Sequence, residues 1–134
     1  MTMMKLRRNT EGGKAQLGSK EKMKRPVYRK IQYEYVMLTS TGIRESIGRM
    51  KNKDEVVIHR ERVLVNFTYP LKESCIAELK SPTGSFTRAE LALAISEVYR
   101  EIAREGRLCG HTLSDLALHS VNVNGMYCSL GIDS

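Results

Sequence analysis

Apolar residues recur along this chain with two periods, and each period predicts a kind of element. Between Lys30 and Leu38, Ile31, Tyr33, Tyr35 and Met37 occupy alternate positions, and the β-branched and aromatic content predicts a strand, with a helix bearing a Tyr-rich face as the alternative. Thr39-Ser-Thr-Gly42 interrupts that pattern. Ile43, Ile47 and Met50 then return at helical spacing with charged residues between them, which predicts a short helix near 43–50. Glu55 to Asn66 is β-rich: Val56-Val57-Ile58 and Val63-Leu64-Val65 flank a charged His59-Arg-Glu-Arg62. That charged stretch is either a turn or the solvent face of one long strand. Pro70 cannot donate to a ladder, so the strand ends there or continues only as an edge, Cys75 to Leu79 forms another, and Ser81-Pro-Thr-Gly84 is a turn.

The clearest element follows. Thr87-Arg-Ala-Glu90 is a capping box, and Leu91, Ala94, Ile95, Val98, Tyr99 and Ile102 form a continuous apolar stripe behind it. Phe86 precedes the cap and is placed to staple onto Leu91, while Gly106 supplies a C-terminal stop. A helix over about 88–105 results. Near the end, Val121 and Val123 lead into Asn124-Gly125, the residue pair that a two-residue type I′ hairpin demands, and Met126 to Leu130 alternates on the far side. Leu116 and Leu118 are one residue out of phase with Val121 and Val123, implying a bulge near His119-Ser120 or a helical turn within 113–118. The pattern predicts an α+β domain over residues 26–134. It has four or five mostly antiparallel strands, the long helix on one face and the short helix near 43–50.

Composition adds little until charge is mapped. The chain has 134 residues, 41% of them apolar and 28% charged, as in an ordinary globular domain. Its net charge of +7 is concentrated at one end. Lys5, Arg7, Arg8, Lys14, Lys20, Lys22, Lys24, Arg25, Arg29 and Lys30 face only Glu11 and Glu21 within the first 30 residues, a local charge of +8. The rest of the chain holds 12 basic and 13 acidic residues and is nearly neutral. Residues 1–25 are also poor in apolar side chains and contain Gly12, Gly13 and Gly18, so they read as a basic tail, disordered in isolation. Such a tail on a neutral body suggests an electrostatic arm rather than a folded basic face.

No apolar run has the length of a secretory signal or a membrane span, so no membrane role is expected. Arg7-Arg8 and Lys20 to Arg25, separated by eleven residues, have the form of a bipartite nuclear import signal, a pattern with many false positives. Cys75, Cys109 and Cys128 are odd in number and widely spaced, and read as reduced thiols of a cytoplasmic or nuclear protein.

Three constellations bear on chemistry. Cys109, His111 and Asp115 contain a thiol, an imidazole and a carboxylate, the parts of nucleophilic catalysis, although Asp115 and Ser114 equally suit a local turn. Cys109, His111, His119 and Cys128 are residue types that zinc accepts, but their spacing matches no paired-ligand pattern, so no metal and no cofactor are expected. Tyr28, Tyr33, Tyr35 and Tyr69 lie near Arg29 and Lys30 in a way that suits base stacking, with half-buried packing the commoner use of such residues.

Asn66-Phe-Thr-Tyr-Pro-Leu71, Phe86-Thr-Arg-Ala-Glu-Leu91, Gly110-His111 with Asp115-Leu116, and Leu130-Gly-Ile-Asp-Ser134 resemble a family of small, functionally uncharacterised proteins. That family is associated chiefly with plants and, secondarily, with large DNA viruses. The resemblance covers roughly residues 63–134 and implies a fold without an activity. In the family's pattern an aromatic residue precedes the Gly-His pair and an acidic residue follows it. Here Cys109 and Thr112 stand in those places, which speaks against a catalytic role for His111.

These features together describe a non-enzymatic interaction domain whose basic arm contacts nucleic acid or another polyanion without sequence preference. A sheet edge near Cys75–Leu79 would give it a route to self-association or to a protein partner. The alternatives are a small hydrolase or transferase using Cys109, His111 and Asp115, and a structural subunit of a larger assembly.

Overall fold

The computed structural model describes the backbone of residues 3–8 and the chain from residue 28 to residue 134. The fold is α+β. Its main sheet contains β1 (Met3–Arg8), β2 (Tyr28–Met37), β4 (Arg62–Phe67), β5 (Cys75–Lys80), β7 (Ala117–Asn124) and β8 (Tyr127–Asp133), in the order β1-β5-β4-β8-β7-β2. Every ladder is antiparallel except β4–β8, which is parallel. A second small sheet pairs β3 (Val56–Ile58) with β6 (Phe86–Thr87). Among the described residues, two helices form, α1 (Ser40–Arg49) and α2 (Arg88–Arg104), and a 3-10 turn occupies Leu113–Asp115. Among the described residues, no helix is long and apolar enough to cross a membrane.

The capping box at the start of α2 is formed as its sequence predicts. The Glu90 amide donates to the Thr87 hydroxyl at 3.1 Å, and the Glu90 carboxylate accepts from the Thr87 amide at 2.8 Å. The apolar stripe of α2 is fully buried, and Gly106 ends the helix region with φ 71°. Tyr99 meets Phe67 of β4 edge to face, with ring centroids 5.2 Å apart, which locks the helix onto the sheet. Val63, Val65 and Phe67 of β4 point into this layer with Ala77 and Leu79 of β5. Their neighbours on the same strands point away from it.

Several expectations need correction. The alternation through Ile31 and Tyr33 does not continue to Tyr35. Pairing with β7 breaks between Gln32 and Val36, and Tyr35 adopts φ 46° and stands exposed, which turns Val36 and Leu38 inward instead. From Gln32 to Val36 β2 takes four steps against two on β7, from Ser120 to Leu118, and the left-handed turn of the backbone at Tyr35 inverts the pattern beyond it.

Residues His59 to Glu61 of the charged stretch separate two strands that belong to different sheets, and Arg62 opens the second of them. Asn124 is the last residue of β7 and pairs with Tyr127, so the hairpin loop is Gly125-Met126. Only Gly125 has positive φ (65°), the pattern of a type II′ turn and not of type I′. At Leu116–Ser120 both proposed causes of the phase slip operate, a 3-10 turn before β7 and a register shift between Leu118 and Ser120.

The edge expected at Cys75–Leu79 is covered. β5 lies between β4 and β1, with Met3 opposite Lys80 and Arg8 opposite Cys75. One strand of the sheet, β1, therefore falls within the 1–25 segment read as a tail. The rest of that segment lies outside the described residues.

Candidate functional site

The helices lie on one side of the sheet, and the residues pointing to the other side form ordered rows. Strand register aligns Leu64, Tyr127, Asn124 and Tyr28 across β4, β8, β7 and β2. The next row is Asn66, Ser129, Asn122 and Lys30, with Ile76 beside Asn66 on β5. Tyr28 is 67% exposed and Tyr127 58% exposed. Both sit on the same face two strands apart, so about 10 Å separates their backbones. Between them is a shallow cavity of about 340 Å³ lined by residues of both rows.

This face combines flat aromatic rings with amide and hydroxyl groups. Asn66 contributes a side-chain oxygen that is buried and has no hydrogen-bond partner among the described residues, an acceptor left for a donor such as an exocyclic amine. Lys30 is exposed at the end of its row, and Arg62 pairs with Glu78 at 2.6 Å farther along the sheet. The chemistry suits an unpaired base: a ring to stack on, neutral groups to bond its edge, and a cation for its phosphate.

The sequence-derived catalytic candidates are arranged differently. His111 Nε2 lies 3.2 Å from the Tyr69 hydroxyl, which is 2.6 Å from the Ser134 hydroxyl. His111 Nδ1 lies 3.8 Å from Asp115 Oδ2. Both ring nitrogens thus face groups other than the Cys109 thiol. The same Asp115 oxygen accepts from the Thr112 amide at 3.0 Å, closing the 3-10 turn, which is the local structural use of this carboxylate. Cys109 is exposed, and its amide donates to the Pro70 carbonyl at 2.6 Å.

The zinc-type residues are scattered. Cys128 is buried on the helix side of the sheet, where desolvation, partly offset by Arg29, pushes its thiol up to about 12. His119 instead lies 3.5 Å from Asp133. Among the described residues, no group of three or more His, Cys, Asp or Glu could hold a metal ion.

The ten basic candidates divide into three sets. Lys5, Arg7 and Arg8 fall on β1, where the register places Lys5 opposite Glu78 and Arg7 opposite Ile76. Lys14, Lys20, Lys22, Lys24 and Arg25 lie outside the described residues. The remaining two are both exposed, and Arg29 donates to the Val57 carbonyl. Of the tyrosines that the sequence offers for stacking or packing, Tyr28 lies on this face and Tyr33 is buried, and the sequence pattern did not single out Tyr127 or Asn66. A usable signal existed in Tyr127 and Ser129, which alternate with the core position Cys128 after the hairpin.

No known protein family, curated protein or solved structure matches this chain.

Proposed function

We propose that this protein binds single-stranded nucleic acid on the uncovered face of its sheet, with the basic N-terminal segment adding sequence-independent phosphate contacts. The observation that carries this reading is the pair of exposed tyrosines, Tyr28 and Tyr127, on one row of that face. Single strands are favoured over duplex because stacking on a tyrosine needs a free base face. The reading is of a binding protein and not of an enzyme. Its compartment would be one where nucleic acid is available, the cytoplasm or the nucleus.

The test is fluorescence anisotropy of the full chain with a labelled single-stranded oligonucleotide, across a salt series. Tyr28→Ala and Tyr127→Ala should each weaken binding by about fivefold or more, the low end for loss of one stacked base. Replacing Lys14, Lys20, Lys22 and Lys24 with Gln should flatten the salt dependence without abolishing binding. A wild-type protein contacting about six phosphates would show a log–log slope of roughly −4 on a single strand and roughly −5 on duplex. Binding that ignores both tyrosines would sink the sheet-face reading, and a negligible slope would sink the electrostatic one.

A further inference from the structure

A second concavity, of about 340 Å³, lies on another part of the molecule, between the β2 bulge, the end of α1 and the first residue of α2. Its size falls within the range of small-molecule sites. Two features form its walls. Tyr33, Val36 and Met50 supply apolar surface, and Gln32, Ser46 and Asn52 supply neutral polar groups. The backbone is bent out of ordinary geometry on both sides of it, at Tyr35 (φ 46°) and Asn52 (φ 58°). Left-handed conformations at non-glycine residues cost free energy and persist where the surroundings enforce them.

The charges around this cavity do not cancel. Arg88 is held as a rigid fork: one terminal nitrogen donates to the Gln32 carbonyl at 2.6 Å and the other to Glu55 at 2.9 Å. Its guanidinium carbon lies 5.6 Å from the centre of the Tyr33 ring. The charge of Arg88 is thereby met by Glu55, yet its Nε–H is buried with no acceptor among the described residues. Arg49 and Lys51 also line the cavity, opposed among the described lining residues by the carboxylate of Glu34. Among the described residues, one positive charge is left uncompensated, beside a shielded donor that has no partner there. Ser46 accepts from the Met37 amide at 3.1 Å, leaving its own proton to be donated elsewhere.

We propose that this cavity binds a small organic monoanion, a carboxylate carried on a flat apolar body. The carboxylate would lie against Arg49 and Lys51, and the apolar body against Tyr33, Val36 and Met50. The net charge selects a monoanion, and the apolar wall selects against a bare inorganic ion. The site shares no residue with the uncovered sheet face, so it stands or falls independently of nucleic-acid binding.

The experiment is a titration of the isotopically labelled full chain with 2-naphthoate, followed by amide chemical shifts. Its neutral analogue 2-naphthamide and acetate serve as controls. Naphthoate should shift the amides of Tyr33, Ser46, Asn52 and Arg88 in a saturable way. A Kd of roughly 1 mM or tighter is what a ligand of that size should reach. The amide and acetate should each bind at least about tenfold more weakly. A variant combining Arg49→Gln with Lys51→Gln should lose about tenfold while its unliganded spectrum stays folded, because both side chains are exposed. The proposal is overturned by shifts centred elsewhere, by absence of saturation, by naphthamide binding as well as naphthoate, or by a folded double variant with undiminished affinity.

Discussion

The Tyr99 hydroxyl donates to the Tyr69 carbonyl at 2.7 Å, tying the middle of α2 to the segment that leaves β4. The same Tyr69 holds His111 and Ser134 through its own hydroxyl, so one buried phenol anchors a surface cluster drawn from three parts of the chain. Tyr99 is fully buried, and burial raises its phenol well above the usual tyrosine range, so it remains a neutral donor at any physiological pH. Tyr99→Phe keeps the edge-to-face contact with Phe67 and deletes only the hydrogen bond. The expected loss is about 1–2 kcal/mol of unfolding free energy, because the carbonyl is left without its partner. Urea denaturation of the two proteins checks it, and an unchanged midpoint would contradict the assignment.

The thiols should separate by reactivity and by pH. Cys109 is exposed whereas Cys75 and Cys128 are buried, so a thiol reagent should modify one cysteine quickly and the other two only on unfolding. Desolvation is the main cause that raises Cys75, with Arg107 opposing it, and the same cause pushes Cys128 up to about 12. An unfolded thiol loses its proton near about pH 8.5, so above that point the unfolded state is favoured by ionisation that the native state resists. The stability associated with a neutral Cys128 is therefore complete below about pH 8.5 and is lost as the pH rises toward the native value. Urea midpoints measured at about pH 8 and about pH 10.5 should fall, and Cys128→Ala should fall less steeply.

The long helix was readable because its signals are local and agree with one another. The Thr87–Glu90 box, the Phe86 staple position and the apolar stripe from Leu91 to Ile102 all specify one element. The β2 strand was readable only to Tyr33, since a bulge is decided by what the partner strand requires, and β7 is more than eighty residues away. The hairpin illustrates the same limit at short range. Asn124-Gly125 suits type I′, but the register of β7 against β8 places Asn124 in the ladder and passes the turn to Gly125-Met126.

At the candidate site, Tyr28 and Tyr127 are 99 positions apart in sequence, and only the β8-β7-β2 order brings them to one row. The pairing of His111 with Asp115 was visible because it is local. The intrusion of Tyr69 between His111 and Ser134 was not, because it depends on how three distant segments meet.

Asp115 should matter for folding more than for chemistry. Its carboxylate accepts the Thr112 amide and faces His111, and both contacts are solvent-exposed. Asp115→Ala removes the capping bond and should cost about 0.5–2 kcal/mol, whereas Asp115→Asn, which keeps an acceptor oxygen, should cost less. His111→Ala should change stability by about 1 kcal/mol or less, since the side chain is partly exposed and its bond to Tyr69 is an exposed one. Thermal unfolding of the three variants orders them. A His111 variant more damaging than Asp115→Ala would mean that the imidazole, not the carboxylate, organises this turn.

Gly131 gives the sharpest steric prediction. It pairs with Ser120 just beyond the register shift that follows Leu118, where β7 must advance by one residue against β8. A Cβ at Gly131 would lie 2.3 Å from the Ser120 hydroxyl oxygen and 2.8 Å from His119 Cε1. Ser120 is 1% exposed and cannot swing into solvent, so relief has to come from the strand backbone or from displacing His119 away from Asp133. Gly131→Ala is therefore expected to lose about 1–3 kcal/mol, the range for forcing added volume into a packed site. The contrast is Gly48→Ala in α1, where an added Cβ meets nothing within 4 Å and the helix gains propensity. That substitution should stabilise the protein by roughly 0.5–1 kcal/mol. Denaturant midpoints moving in opposite directions for the two glycines would establish the crowded β7–β8 crossing, and a neutral Gly131→Ala would place the bulge elsewhere.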